Sequence, residues 1–279
     1  MPNDISSSLV IVDEEWGFNE LHKLIDRTCE FTTLPLSLTK IGDYSFANCT
    51  YLASIEIPEK VGGIGHGAFF SCSMLESISF LGKSISIGDS AFFGCIKLSA
   101  ITLPKITSIG PFAFKGCSLL DLQLLPSNIT SIESSSFSGC TSLKLRELPD
   151  GITHIKYSAF ENCVNLQLTT LPSHLEQIEG FAFYGCTNLT ISVLPKSLLS
   201  IGQRAFGGCI GMSSLTIGSN ISDISIYAFM NCPNLMSITI DRAPNTIAGA
   251  PWGATNATVT WAGTTQRKGL FCQTLYATI

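Results

Sequence analysis

Hydrophobic residues recur along this chain at a fixed spacing that can be counted from cysteine. Nine cysteines follow one another at intervals of 23 residues, except for one interval of 22 between Cys95 and Cys117. A phenylalanine stands three residues before each of them, and an isoleucine stands eight residues before. A leucine follows three residues after each cysteine, with Met212 as the single exception. The nine cysteines are Cys49, Cys72, Cys95, Cys117, Cys140, Cys163, Cys186, Cys209 and Cys232.

The consensus of the repeated unit is Ile-Gly-x-x-Ala-Phe-x-x-Cys-x-x-Leu, followed by a short apolar stretch that in most coils ends in Leu-Pro or Ile-Pro. A unit this short cannot bury a core of its own, so neighbouring units must stack along one axis. The apolar stretch has the composition of a strand, and Ala-Phe-x-x-Cys has room for about one helical turn. The pattern predicts an α/β repeat solenoid of nine coils over residues 41–240. Its parallel β-sheet lies on one face, and short helical turns or short strands lie on the other.

Both ends of the chain carry apolar residues outside the repeat, as a stacked core requires at its exposed ends. Residues 13–28 place apolar side chains at helical spacing, with acidic residues in the first turn. We therefore expect residues 1–40 to form an N-terminal cap with a helix and a degenerate first repeat. Residues 241–279 are expected to form a C-terminal cap and tail. The large apolar residues of that cap are Trp252, Val259 and Trp261.

The apolar positions shift in four consecutive middle coils. In most coils they fall three, six and eight residues after the cysteine, whereas in the middle coils the second falls five residues after it. A one-residue shift turns a side chain to the other face of a strand, so either the backbone bulges or an aliphatic stripe is displayed. The shifted residues are Leu122, Leu145, Leu168 and Ile191.

The densest charge of any strand region lies beside these shifted residues. It comprises Asp121, Lys144, Arg146 and Glu147. Interface energy concentrates in a few central residues, among which arginine is favoured. The candidate partner-binding residues are therefore Asp121, Lys144, Arg146, Glu147, Leu122, Leu145 and Leu168.

The unit, followed by Ile-x-Ile-Pro, resembles the BspA-like (treponemal-type) leucine-rich repeat over about residues 41–240. Residues 247–263 are similar to the closing module that follows such repeats in many gut-bacterial surface proteins. The resemblance implies a right-handed curved solenoid of a surface-exposed or secreted bacterial protein, used for adhesion and protein recognition. It implies no catalytic residues.

The cysteines do not have the spacing of a zinc site, because no Cys-x-x-Cys pair occurs. Stacked side chains with parallel directions keep Cβ atoms about 4.8 Å apart, beyond the ~3.5–4.5 Å that a disulfide requires. The nine regularly spaced cysteines, which we call the cysteine ladder, are therefore expected to be buried thiols. Cys29 and Cys272 lie outside the ladder.

Other residues that could carry chemistry are scattered. The four histidines occupy four different positions of the unit or cap, so they do not predict a catalytic or metal cluster. The glycine-rich run at 62–67 lacks the Lys-Ser/Thr of a phosphate-binding loop and is in register with the other coils. We expect no cofactor and no metal, and the chain is not predicted to be an enzyme. The histidines are His22, His66, His154 and His174.

Composition and charge narrow the classes of partner. Only 13% of residues are charged, about half the ~25% of an average soluble chain, and 45% are hydrophobic, which excludes a disordered chain. The formal charge of −5 argues against nucleic-acid binding, which requires a positively charged surface. The apolar run Leu9–Val12 is too short for a signal peptide or a membrane span. A cell-surface or secreted location therefore rests on the resemblance, and a cytoplasmic or virion location stays open.

Two functions are compatible with these features. The first is a non-enzymatic recognition or adhesion module that binds a protein or host-surface ligand through the sheet face of the solenoid. The second is a structural or phage virion-type component in which the repeats act as a rigid spacer and the ends carry the interaction. The sequence does not fix the oligomeric state.

Overall fold

The protein is a β-solenoid of about nine turns whose strands all pair in parallel. The computed structural model describes Leu34 and residues 36–101 and 105–263. Within these ranges the strands are β1 (Ser54–Ile57), β2 (Gly63–Ile64), β3 (Ser77–Phe80), β4 (Ser84–Ile87), β5 (Ala100–Ile101), β6 (Lys105–Ile109), β7 (Ser131–Ile132), β8 (His154–Ile155), β9 (Gln177–Ile178), β10 (Ser200–Ile201), β11 (Ser214–Ile217), β12 (Asp223–Ile224), β13 (Ser237–Ile240) and β14 (Thr258–Trp261).

The strands form two columns that run along the solenoid. The leucine-side strands follow the repeated leucine of the unit and pair in the orders β1-β3-β5 and β11-β13-β14. The isoleucine-side strands end at the repeated isoleucine and pair in the orders β2-β4-β6 and β7-β8-β9-β10-β12. Equivalent residues pair with one another, as Ile55 does with Ile78 and Ile178 with Ile201. The prediction of identical coils stacked in register is confirmed.

The Ala-Phe-x-x-Cys segment forms turns instead of the predicted helical turn. In the fifth coil, Ser138 N donates to Ser135 O of its own coil, whereas Phe137 N donates to Ala159 O of the next coil. Ser135 and Gly139 have φ of 52° and 77°, a left-handed conformation that a right-handed helix cannot contain. No described residue is helical. The α/β class and its helical turns are therefore wrong, and the fold is a β-solenoid.

The leucine-side column has no strand in the four middle coils, and in the last of them only Val193 forms an isolated bridge, to Thr216 of β11. Leu145 and Leu168 are fully buried, and the next inward residue after Leu145 is Leu148, three positions on. A pleated strand alternates its side chains with a period of two, so this spacing cannot be accommodated in a regular strand. Leu122 and Ile191 are buried in the same way. The alternative of a displayed aliphatic stripe is therefore wrong. Leu122, Leu145 and Leu168 belong to the core, so their side chains cannot contact a partner.

Stacked aromatic rings fill the centre of the core. Phe137 lies between Phe114 and Phe160, with ring centroids 5.5 and 5.6 Å away and ring planes 10° apart on both sides. The whole column, from Phe46 to Phe229, has centroid spacings of 5.0–5.6 Å. Its rings are buried in every coil. The repeated phenylalanine thus forms one continuous apolar axis.

The described part of the C-terminal segment continues the stack beyond the ninth coil. Trp252, which is 23 residues after Phe229, is fully buried and accepts a hydrogen bond from Phe229 N at its carbonyl oxygen (3.0 Å). Its indole Nε1 donates to Ala248 O (2.7 Å), and its ring meets Trp261 edge-on at 6.3 Å. The predicted N-terminal helix over residues 13–28 lies outside the described residues.

Candidate recognition surface

The charged residues predicted for binding lie at the surface of the middle coils. Lys144 Nζ forms an ion pair with Asp121 Oδ2 of the preceding coil (2.8 Å), and Gln123 Nε2 donates to the other oxygen of Asp121 (2.7 Å). Arg146 and Glu147 are exposed. Within the described residues neither of them takes part in an ion pair. The structure therefore brings Asp121 and Lys144 together and leaves Arg146 and Glu147 open to solvent.

Two consecutive side chains point outward in each middle coil, because three positions separate the inward residues. We call this surface the middle face; it consists of residues 123–124, 146–147, 169–170 and 192–193. Leu124 and Val193 belong to it, with 60% and 58% of their surfaces exposed. Sequence reasoning missed these two residues. The signal that could have found them is the distance of three between the inward residues Leu122 and Leu125, and again between Ile191 and Leu194.

The leucine-side strands outside the middle coils present a different surface. Their outward positions carry short polar side chains, such as Ser77 beside Ser54 and Thr239 beside Thr216. These residues are hydrogen-bonded into the sheet through their backbone, whereas Arg146 N and Thr169 N donate no backbone hydrogen bond to any described residue. The middle face therefore differs from these strands in its exposed Leu124 and Val193 and in the unpaired backbone amides of Arg146 and Thr169.

The cysteine ladder is a second repeated interaction, inside the core. Each thiol from Cys72 to Cys232 donates to the carbonyl oxygen of the phenylalanine in the preceding coil, with Sγ–O distances of 2.9–3.2 Å. The same oxygen also accepts a backbone hydrogen bond from the cysteine of its own coil, as Phe137 O does from Cys140 N (3.1 Å). All nine ladder cysteines are buried thiols that form no disulfide. The thiol therefore ties consecutive coils together in addition to filling space.

The sequence matches the family model described as BspA type Leucine rich repeat region, with 6 copies, over residues 26–144, 64–190 and 107–236. The chain belongs to this family of BspA-type leucine-rich repeat proteins. The resemblance seen in the repeated unit is thereby confirmed.

Similar solved structures include three bacterial leucine-rich repeat proteins. A leucine-rich repeat protein from Bacteroides ovatus is 29% identical, with a TM-score of 0.70, and the match covers 81% of this chain and 59% of that one. The BspA-type chain thus spans about three fifths of that relative. A leucine rich cell surface protein from Faecalibacterium prausnitzii is 26% identical, with a TM-score of 0.45 and coverage of 82% and 84%. The T. pallidum leucine rich repeat protein is 25% identical, with a TM-score of 0.46 and coverage of 65% and 74%. No curated protein matches the chain significantly.

The other chemical motifs of this BspA-type chain are separated from one another. His66 hydrogen-bonds to Tyr44 (2.6 Å), whereas His154 and His174 each contact the side chain of the preceding residue. His22 lies outside the described residues. In the described ranges no three His, Cys, Asp or Glu side chains come close enough together to hold a metal ion. Those ranges also contain no apolar helix long enough to span a bilayer.

The ladder thiols of the folded BspA-type chain are expected to resist maleimide at neutral pH, because the thiolate is the reactive form. Burial raises the pKa of Cys117 and Cys163 far above the usual range, and that of Cys232, near the end of the column, to about 11. Mass spectrometry of the labelled protein should find label on at most Cys29 and Cys272 in the native state, and on all eleven cysteines after unfolding. As pH rises, Cys232 should react before Cys163. Labelling of Cys163 at neutral pH would contradict the buried ladder.

Proposed function

We propose that this chain is a non-enzymatic protein-recognition or adhesion module of a bacterial surface or secreted protein, and that it binds its partner through the middle face. The observation that carries the proposal is the absence of a leucine-side strand from the four middle coils, where Arg146, Glu147, Leu124 and Val193 stand exposed among short polar side chains. Membership of the BspA-type family supports protein interaction and a surface location. The repeats of this family are typical of non-enzymatic scaffolds.

Arg146 is the central residue of the proposed site. It occupies the outward position equivalent to Gln123 in the preceding coil and Thr169 in the following coil, so it is the single basic residue in that row of the middle face. Its guanidinium has no carboxylate partner within the described residues, whereas Lys144 is held by Asp121. Arginine is enriched at interfaces and pairs with carboxylates through two parallel hydrogen bonds. An acidic group of the partner is therefore expected at Arg146.

Exposed apolar side chains lie on both sides of that arginine along the solenoid. Leu124 is in the coil before it, and Val193 is in the second coil after it. Because adjacent coils are about 4.8 Å apart, the distance between these two residues along the axis is roughly 14 Å. The arrangement gives apolar contacts around a central charge, and the fully buried column beneath holds the coils in register. Such a preorganised surface loses little conformational entropy on binding.

The test compares single substitutions on and off the middle face. A partner is first isolated by pull-down from host-surface extract, purified, and titrated against the full chain by calorimetry. Arg146→Ala is expected to weaken binding by at least about tenfold, as a hot-spot residue does. Lys144→Ala is expected to weaken it less, because Lys144 already has an ion-pair partner. Thr216→Ala, at an exposed outward position of β11, is the matched control and should leave affinity unchanged.

The opposite result would favour the rigid spacer. If Arg146→Ala and Lys144→Ala leave affinity unchanged while Thr258→Ala and Thr260→Ala, at exposed positions of β14, abolish it, binding is carried by the end of the solenoid. Each variant is first checked by thermal melting, so that loss of binding is not confused with loss of the fold.

A further inference from the structure

A group of aromatic rings and one arginine lies on the turn segments of the sixth to eighth coils, away from the middle face. We call it the aromatic–arginine patch; it consists of Tyr157, Phe181, Tyr184 and Arg204. The ring centroids of Tyr157 and Phe181 are 5.6 Å apart, and those of Phe181 and Tyr184 are 5.5 Å apart, with planes inclined by 56° and 54°. Arg204 Cζ lies 5.6 Å from the centroid of Phe181. Phe181 is therefore the centre of the group.

The rings are held in place by glycine in the next coil. A Cβ atom on Gly207 would lie 2.8 Å from Cδ2 of Tyr184, and a Cβ on Gly180 would lie 3.4 Å from Cε2 of Tyr157. Each tyrosine ring therefore lies close against a bare backbone. Tyr157 is nevertheless 51% exposed, so its ring presents a large surface to solvent. Aromatic side chains have few rotatable bonds and therefore lose little conformational entropy on binding.

Arg204 has no anionic partner in the described part of the chain. It forms no ion pair there, and its Nε is buried without a hydrogen-bond acceptor. Its φ is +54°, a left-handed conformation that this position of the repeat also has in neighbouring coils, as at Ser158 (53°) and Phe181 (58°). The unmet hydrogen-bonding capacity falls on the one arginine in this position of the repeat.

We infer that the aromatic–arginine patch is a second recognition site, which binds a protein segment presenting a carboxylate beside a large apolar side chain. The guanidinium fork pairs with the carboxylate, and stacking on Phe181 keeps it oriented for that contact. The exposed face of Tyr157 covers the apolar side chain. Tyrosine, phenylalanine and arginine are the residues enriched in protein interfaces, whereas the inclined rings do not form the flat platform on which a sugar ring would stack.

The experiment uses the full chain labelled with ¹⁵N and follows the Arg204 Nε–Hε resonance, assigned with Arg204→Lys. The probe is a capped seven-residue peptide with one glutamate followed by leucine and phenylalanine, and the matched probe carries glutamine in place of the glutamate. We expect a saturable shift of that resonance, with an affinity on the order of tenfold higher for the glutamate peptide. Glucuronate and sialic acid are titrated in parallel as acidic sugars.

Substitutions identify the contact, and the affinities of the variants are measured from the backbone amide resonance of Phe181, which Arg204→Lys retains. Arg204→Lys is expected to lower the affinity for the glutamate peptide about tenfold, because lysine keeps the charge but lacks the planar fork. Tyr157→Ala should weaken binding of both peptides. Lys115→Ala removes a similar contact elsewhere on the solenoid, where Lys115 Nζ is 5.5 Å from the centroid of the Phe112 ring. It should leave the affinity for both peptides unchanged. Arg146→Ala should also change nothing, so this site and the middle face can fail independently.

Several outcomes would overturn the inference. The first is the absence of a shift up to about 5 mM peptide, a concentration at which even millimolar affinity would be detected. The others are equal affinity for the two peptides and unchanged affinity in Arg204→Lys. A shift produced by the acidic sugars but not by the peptides would also overturn it, because the site would then recognise an anionic glycan. Thermal melting of Arg204→Lys and Tyr157→Ala shows that each variant is folded.

Discussion

Replacing Phe137 by alanine is expected to lower the free energy of unfolding by about 3–5 kcal/mol. The ring is buried between two neighbouring rings of the column, and it contributes to the contacts of three consecutive coils. Its removal leaves a cavity that the stacked coils cannot close without shifting their registers. Urea denaturation of the full chain, with the slope compared between variants, measures the loss.

The control is a phenylalanine outside the column. Phe112 lies in a turn, with 38% of its surface exposed and its ring next to Lys115. Phe112→Ala is expected to cost no more than about 1 kcal/mol, because exposed side chains bury little apolar area. Equal losses of unfolding free energy for Phe137→Ala and Phe112→Ala would contradict the conclusion that the buried phenylalanine column stabilises the fold.

Replacing Trp252 by alanine is expected to cost about 3–5 kcal/mol and to cause self-association. Trp252 is fully buried just beyond the ninth coil, where its carbonyl oxygen accepts a hydrogen bond from Phe229 N, and it lies at the C-terminal end of the apolar core. Without the indole, Phe229 becomes the exposed end of a stacked apolar core, the surface that terminal coils of repeat proteins have to cover. The same position explains why Phe229→Ala should cost nearly as much as Phe137→Ala, although Phe229 belongs to the last regular coil.

Two variants separate packing from simple loss of an aromatic residue. Trp252→Phe keeps a large aromatic side chain at this buried position and should recover most of the stability and the monodisperse behaviour. Trp261→Ala removes a half-buried tryptophan from β14 and should cost less than Trp252→Ala. Denaturation gives the stabilities, and light scattering at several concentrations gives the association state. A fully stable, monodisperse Trp252→Ala protein would show that the indole does not close the column.

The stacking could be predicted from the sequence because a fixed period determines the register. Once Ile55 and Ile78 are 23 residues apart in equivalent units, a parallel pairing between them follows from the count. The same period extends to Trp252, which is 23 residues after Phe229. On sequence alone, Trp252 was nevertheless placed in a separate apolar cluster of the C-terminal cap. The one short interval also has a structural counterpart. The pairing of β4 with β6 shifts its register between Ile85 and Ser86.

A segment long enough for one helical turn can also form other turns, because its length does not determine the φ angles of its residues. The turns therefore could not be predicted from the length of the segment. The available signal was the residue before each cysteine, which is glycine, asparagine or serine in every coil. Glycine and asparagine adopt the left-handed conformation most readily, and all nine residues at this position do so in the structure. A helix cannot pass through such a residue, so the repeated position marks a turn.

The candidate site was only partly predictable. Asp121, Lys144, Arg146 and Glu147 could be placed at the surface because charged residues avoid the core. The shifted leucines were harder to place, since the alternation rule applies only where a strand exists. Leu145 and Leu148 are both buried at a spacing of three, which identifies a segment that is not a strand. That spacing also exposes Leu124 and Val193, the apolar residues of the proposed middle face.

Native-state hydrogen exchange of the full chain tests most directly whether the middle coils keep the core while leaving their outward backbone unpaired. The amide of Phe137, which bonds to Ala159 O, and the amide of Thr216, which bonds to Ser192 O, should be strongly protected. The amides of Arg146 and Thr169 should exchange close to the rate of an unprotected peptide. Protection of Arg146 and Thr169 equal to that of Thr216 would contradict the account, because a continuous sheet would then cross the middle coils.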